Sequence, residues 1–302
     1  MQADLNLRRE TTAMHPAGAN TTRTAANPGA ATSSAESRSA GAPCALLKVQ
    51  HIAKALGEGA MRNPIIGDLS FEALEGEFLS IVGPSGCGKT TLLMCLAGLY
   101  RVDSGMVEFD GKPVDGPPAG VSVVFQDYSR SLLPWKNNLQ NVVFGMKRVH
   151  DMSRADKIAY ARELLANVGL KGFERHYPWQ VSGGMQQRIA IARGLAARSQ
   201  LLLLDEPLAA VDAQTRADIQ DLLLDLARRY KQTCVLVTHD VDEAVYMADR
   251  IVVLSKRPTV VTEQIKVSLP RPRTQLETRE QREFLDLRHQ VVTLIQAMRT
   301  PH

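Results

Sequence analysis

One eight-residue run does most to restrict what this chain can become: Gly83-Pro84-Ser85-Gly86-Cys87-Gly88-Lys89-Thr90. A short apolar run of strand type, Phe78-Leu79-Ser80-Ile81-Val82, leads directly into it. A run that reads as a buried helix, Thr90 to Leu99 with Gly98 near its end, leads out of it. A glycine-rich turn in that context has a specific use. Gly83, Gly86 and Gly88 let the backbone curl its N–H groups inward around phosphate oxygens. The helix N-terminus adds partial positive charge at the same place. Lys89 supplies a full charge to the β- and γ-phosphates of a nucleotide, and Thr90 offers a hydroxyl to Mg²⁺. Pro84, Ser85, Cys87 and Thr91 complete the expected binding set. Cys87, close to Lys89 and just before the helix, is also expected to have thiolate character and to react faster than Cys95 or Cys234.

A second run, Leu201-Leu202-Leu203-Leu204-Asp205-Glu206, reads as a strand with no polar alternation. Such a strand is buried on both faces, as in a parallel sheet. Its C-terminal end is where open α/β sheets place ligands. Asp205 is expected to hold Mg²⁺ and Glu206 to act as the general base that deprotonates the attacking water. Further back, Ser182-Gly183-Gly184-Met185-Gln186 offers another anion site. Ser182 can cap a helix running from Gln186 to about Ala197, with Gly183 and Gly184 exposing N–H groups.

In this order and spacing, with Thr238-His239-Asp240 downstream, the motifs resemble those of the ATP-hydrolysing subunit of an ABC transporter. The resemblance runs from about Leu46 to about Leu287. It implies a P-loop NTPase fold of ABC type: an α/β protein with a parallel core sheet, a small antiparallel layer and a helical subdomain. It implies ATP and Mg²⁺ as ligands. It makes Ser182-Gly183-Gly184 the signature segment, which reaches the ATP held by Lys89 of a second subunit in a head-to-tail dimer. Gln126 matches the glutamine that touches Mg²⁺ and the attacking water. Asp212 matches an aspartate that works across the dimer, and His239 matches the switch histidine near the γ-phosphate. One position departs from the family. Leu56 stands where an aromatic residue normally stacks on adenine, a contact worth about 1–3 kcal/mol in other nucleotide sites.

Composition fits a globular chain: 302 residues, 44% hydrophobic and 23% charged. A net charge of +4 is too small to argue for nucleic acid. No stretch approaches the length of apolar residues that a membrane span requires. The cysteines, Cys44, Cys87, Cys95 and Cys234, have no metal spacing and fit a reducing compartment. Residues 1–44 are rich in Ala, Thr, Ser, Gly and Pro and read as a disordered tail. Residues 45–255 form the expected ATPase domain, with a helical insertion at about 127–185. Residues 256–302 form a C-terminal hairpin and helix. In that helix Phe284, Leu287, Val291, Leu294 and Met298 share one face, expected to pack on its own subunit.

Within the family, Ser131-Leu132-Leu133-Pro134-Trp135 resembles importer ATPases of the nitrate, sulfonate, taurine and bicarbonate group. The resemblance implies an ATPase subunit at the cytoplasmic face of the inner membrane, attached peripherally. Its partners would be a second ATPase subunit, two membrane-spanning permease subunits and, indirectly, a solute-binding protein. The Leu-Pro-Trp run is expected to be an exposed patch that receives the permease. The rival readings are a soluble ABC ATPase not coupled to a transporter and a nucleotide-binding module without turnover. Intact Glu206 and His239 argue against the second.

Overall fold

The structure, a computed structural model, describes residues 44–127, 131–209 and 211–298. The expected tail, Cys44 apart, lies outside the described residues.

The described chain opens with two long strands, β1 (Ala45–Leu56) and β2 (Asn63–Leu74), joined through a short 3₁₀ turn. β3 (Phe78–Val82) then runs into the phosphate loop and α1 (Lys89–Leu96). β4 (Ser104–Phe109) and β5 (Lys112–Pro113) pair back toward β1, closing an antiparallel sheet of order β2-β1-β4-β5. β6 (Val121–Val124) belongs to the second sheet. Three helices follow: α2 (Asn138–Gly145), α3 (Arg154–Asn167) and α4 (Gly183–Ala196). The remainder alternates: β7 (Leu201–Asp205), α5 (Ala213–Arg229), β8 (Thr233–Val237), α6 (Val241–Met247), β9 (Arg250–Leu254) and β10 (Val261–Lys266). The short α7 (Glu277–Glu280) and α8 (Arg282–Ala297) end the described chain.

The second sheet has the order β10-β9-β3-β8-β7-β6, parallel except for the β9–β10 hairpin. The leucines of β7 are 0% exposed and serve two faces. Leu201 and Leu203 join the core around α1, while Leu202 and Leu204 join the core around α4, α5 and α6. This is why the strand shows no alternation. The helix α1 lies between the sheets, with Leu92, Leu93 and Leu96 packed together with Leu47, Val49 and Ile52. Full burial of such a side chain contributes about 1.5–3 kcal/mol, so this sandwich fixes the start of α1 firmly.

The insertion is helical as expected, and its ends are set by local chemistry. Asn137 with Gln140, and Ser153 with Asp156, form reciprocal capping boxes on α2 and α3. Gly169, at φ +72°, takes the left-handed turn after α3. One boundary differs from expectation. α4 begins at Gly183 rather than Gln186, because Ser182 accepts a hydrogen bond from Met185 N and draws both glycines into the first turn. At the other end of the chain, Phe284, Leu287 and Val291 are buried, and Leu294 and Met298 pack on the same core. The apolar face of α8 therefore covers its own subunit.

Register places the loops. Asp205 of β7 pairs with Val237 of β8, so Glu206 and Thr238 leave the sheet side by side. Val82 of β3 leaves the same end, since β3 is parallel to β8.

Candidate nucleotide site

The phosphate loop is built as a close-fitting collar. A Cβ on Gly83 would lie 3.0 Å from both the Cβ and the carbonyl oxygen of Leu254. Gly88 has φ +119°, and a Cβ there would come within 2.6 Å of Ile65 Cγ2. Neither position admits a side chain without displacing its neighbours. Ser85 and Gly86 are exposed at the tip of the loop; Pro84, Cys87 and Thr91 are buried within it. Lys89 is only 6% exposed, and its Nζ donates to the Gly83 and Pro84 carbonyls at 3.0 and 3.2 Å. The loop thus holds the ammonium in the ring that its own backbone makes. Thr259, from the β9–β10 turn, donates its hydroxyl to the Cys87 carbonyl and supports the loop from behind.

Cys87 overturns one expectation. It is 2% exposed, and burial pushes its thiol above the ordinary value despite the nearby Lys89 charge. Desolvation outweighs the lysine and the helix end, and so disfavours the thiolate.

Opposite the loop, Thr90 Oγ1 donates to Asp205 Oδ1 at 3.4 Å. Asp205 is 3% exposed, and burial raises its carboxyl to about 6. The Thr90 bond opposes that shift, the Glu206 charge adds to it, and Lys89 opposes it. A buried carboxylate with one long hydrogen bond beside a hydroxyl is a donor set suited to a hard cation. Among the described residues no cluster of three or more His, Cys, Asp or Glu side chains forms a metal cage. Mg²⁺ needs none, since it draws most of its ligands from phosphate and water.

Glu206 follows at φ +42°, a left-handed conformation unusual for this residue type. Its N–H donates to Val237 O at 2.8 Å, which holds the turn. Its Oε2 receives Gln126 Nε2 at 3.3 Å and lies 3.0 Å from His239 Nδ1. Three residues expected to act together, from 126, 206 and 239, therefore meet at one carboxylate oxygen. Strain of order 1–3 kcal/mol at such a turn is tolerated only where the surroundings over-determine it.

Ser182, Gly183 and Gly184 open α4 in the helical subdomain, while the phosphate loop lies at the β3–α1 junction. Asp212 is exposed and caps α5 through Thr215 N at 3.0 Å. That bond holds its carboxyl below the usual value. Leu56 ends β1 at 36% exposure.

The expected Leu-Pro-Trp patch is divided. Leu132 is 2% exposed and belongs to the core, while Pro134 and Trp135 are exposed, Trp135 at 70%. Asn141 ties the segment down, accepting from Leu133 N and donating to Leu133 O. A second exposed tryptophan, Trp179, stacks on Tyr177 at 5.9 Å in the same subdomain. Sequence reasoning passed over Trp179 and Thr259. Trp179 sits three residues before Ser182, which was signal enough; Thr259 acts only through the fold.

Comparison with known proteins gives a consistent picture. Residues 66–209 match the ABC transporter family profile. The chain is 45% identical over 249 residues to the uncharacterized ABC transporter ATP-binding protein MJ0412 of Methanocaldococcus jannaschii, covering 82% of this chain and 91% of that one. It is 42% identical over 226 residues to the taurine import ATP-binding protein TauB of Escherichia coli, covering 75% and 86%. It is 44% identical over 234 residues to the nitrate import ATP-binding protein NrtC of Synechococcus elongatus, covering 77% of this chain but 35% of NrtC. Among solved structures, the dimeric post-hydrolysis state of the ATP-binding cassette MJ0796, bound to ADP and Pi, superposes with a TM-score of 0.66 at 32% identity. That match covers 73% of this chain and 98% of that one.

Proposed function

The chain belongs to the ATP-binding proteins of the ABC transporter family, and we propose that it drives import of a small oxyanion or sulfonate by binding and hydrolysing ATP. The family membership carries ATP binding and hydrolysis with it. The observation that best supports the detailed reading is the convergence of Gln126 and His239 on Glu206, beside the Thr90–Asp205 pair.

In this reading the loop N–H groups from Gly83 to Thr91 and the Lys89 ammonium grip the phosphates. Thr90, Asp205 and Gln126 would hold Mg²⁺, which when bound neutralises charge developing on the transferred phosphoryl group. Glu206 accepts a proton from the attacking water, and His239 and Gln126 fix the carboxylate so that it faces that water. The free N–H groups at the start of α4 bind anions, and the partner subunit's Ser182 would complete the opposite face of the ATP. Asp212, exposed at the start of α5, lies where a second subunit can reach it. A homodimer with two shared sites follows, attached peripherally to permease subunits at the cytoplasmic face of the membrane. No described helix is long and apolar enough to cross a membrane. Trp135, with Trp179 as the second exposed aromatic of its subdomain, offers the permease an apolar seat.

The cargo rests on similarity to importers named for taurine and nitrate. Its test is uptake. Cells lacking the gene should lose uptake of labelled taurine, another sulfonate or nitrate, and regain it with the wild-type chain but not with Glu206→Gln. Normal uptake of all three without the gene would contradict the cargo assignment.

A further inference from the structure

The switch turn is tied to α6, and the C-terminal segment grips α6. Glu243, in the first turn of α6, is 3% exposed. Thr238, the residue before His239, donates its hydroxyl to Glu243 Oε2. The same hydroxyl accepts from Asp240 N at 3.1 Å, and Asp240 Oδ1 accepts from Glu243 N at 3.1 Å. The residues on both sides of His239 are thus tied to Glu243, Thr238 through its carboxyl and Asp240 through its N–H. Glu243 Oε1 has no hydrogen-bond partner among the described residues. Gln220 of α5, 1% exposed, is held from the C-terminal segment. Gln220 Oε1 accepts from Arg279 Nη2 at 3.0 Å and from Gln275 Nε2 at 3.4 Å.

The same segment grips α6 at other points. Arg273 Nη1 donates to the Tyr246 and Ala248 carbonyls at 2.7 and 2.8 Å. Arg279 lies over the Tyr246 ring at 5.1 Å, and Arg288 pairs with Asp242 at 2.9 Å. Glu206, Arg216, His239 and Glu243 line one small cavity of about 40 Å³. Displacement of Glu243 is therefore felt on the wall shared with the reacting carboxylate.

We infer that the C-terminal segment positions the switch histidine: Arg273, Arg279 and Arg288 fix α6, and Glu243, in the first turn of α6, holds the turn that carries His239. Buried polar groups have few alternative partners, so a shift of α6 is felt at Thr238 and Asp240. Arg273 and Glu243 are positioning residues here, acting through His239. The inference rests on the role proposed above for His239.

The test is steady-state ATP hydrolysis, ATP affinity and melting temperature in the full chain, with His239→Ala as reference. Arg273→Met and Glu243→Ala should each lower kcat about tenfold while leaving ATP affinity within about twofold. Glu243→Gln still accepts from Thr238 and should recover most of the rate. Arg288→Met, at a half-exposed position, should lower kcat without unfolding the chain. Combined with Glu243→Ala it should add little, because the two act through α6 on one turn. Wild-type kcat in folded Glu243→Ala and Arg288→Met, with His239→Ala slow, would overturn the inference and leave the His239 role standing. Wild-type kcat in His239→Ala would overturn both.

Discussion

Asp205 shows at one residue how the site trades stability for binding. Burial raises its carboxyl from 3.8 to about 6, so the folded chain holds this proton more tightly than the unfolded chain does. The native state therefore loses stability relative to the unfolded state as pH rises from about 4 to about 6, and the cost is constant above that. Asp205→Asn removes it. The variant should gain melting temperature over wild type in metal-free, nucleotide-free buffer, with a gain that grows from pH 4 to 6 and then levels off. A gain independent of pH would place the ionisation elsewhere. Leu56 supports a second expectation. If it faces adenine, Leu56→Tyr should tighten ATP binding by about 1 kcal/mol, severalfold in affinity, with kcat unchanged. Unchanged affinity in a titration would mean that the base is held by other residues. Cys87 marks the limit of reading along the chain. Its sequence neighbours, Lys89 and the start of α1, favour a thiolate; the residue that closes over it from behind, Thr259 of the β9–β10 turn, lies 172 positions away. Maleimide should accordingly label exposed Cys44 first and leave Cys87, Cys95 and Cys234 slow in the folded chain. Fast, ATP-protected labelling of Cys87 would show that the loop opens.

At the scale of elements, the phosphate loop, β7 and the Ser182 cap of α4 were legible because each is specified locally. Four leucines before an acid pair can hardly be anything but a central strand, and Ser182 needs only the helix behind it to act as a cap. The convergence at Glu206 was less so. Gln126, Glu206 and His239 lie on three segments, and only the β7–β8 register and the turn at Glu206 bring them within hydrogen-bond reach. The Leu132–Trp135 segment was half legible: composition shows apolar residues, but only the fold decides that Leu132 turns inward and Trp135 outward. An exposed tryptophan on a segment that Asn141 holds on either side, at Leu133 and Lys136, suits an interface anchor. Removing such an anchor can cost 2 kcal/mol or more, on the order of hot spots elsewhere. Trp135→Ala should leave ATP binding and melting temperature of the purified subunit unchanged and abolish solute uptake by the assembled transporter. Normal uptake in that variant would remove Trp135 from the permease contact.

The described residues form two sheets with a helix between them, a helical subdomain, and a C-terminal helix covering the far core. The phosphate loop and Ser182 lie in different parts of this architecture, and the proposed head-to-tail dimer gives a reason: in it each would serve a site completed by a second copy. The central claim is that Glu206 drives hydrolysis in a dimer closed by ATP. Glu206→Gln keeps every phosphate ligand and the shape of the turn but loses the base. The most direct measurement pairs light scattering with phosphate release on this variant and the wild type, with and without Mg-ATP. The account predicts that Glu206→Gln shifts from monomer to dimer on adding ATP, while phosphate release falls about 10²–10⁴-fold. Wild-type phosphate release in the variant would contradict the role of Glu206, and a variant that binds ATP yet stays monomeric would contradict the shared site.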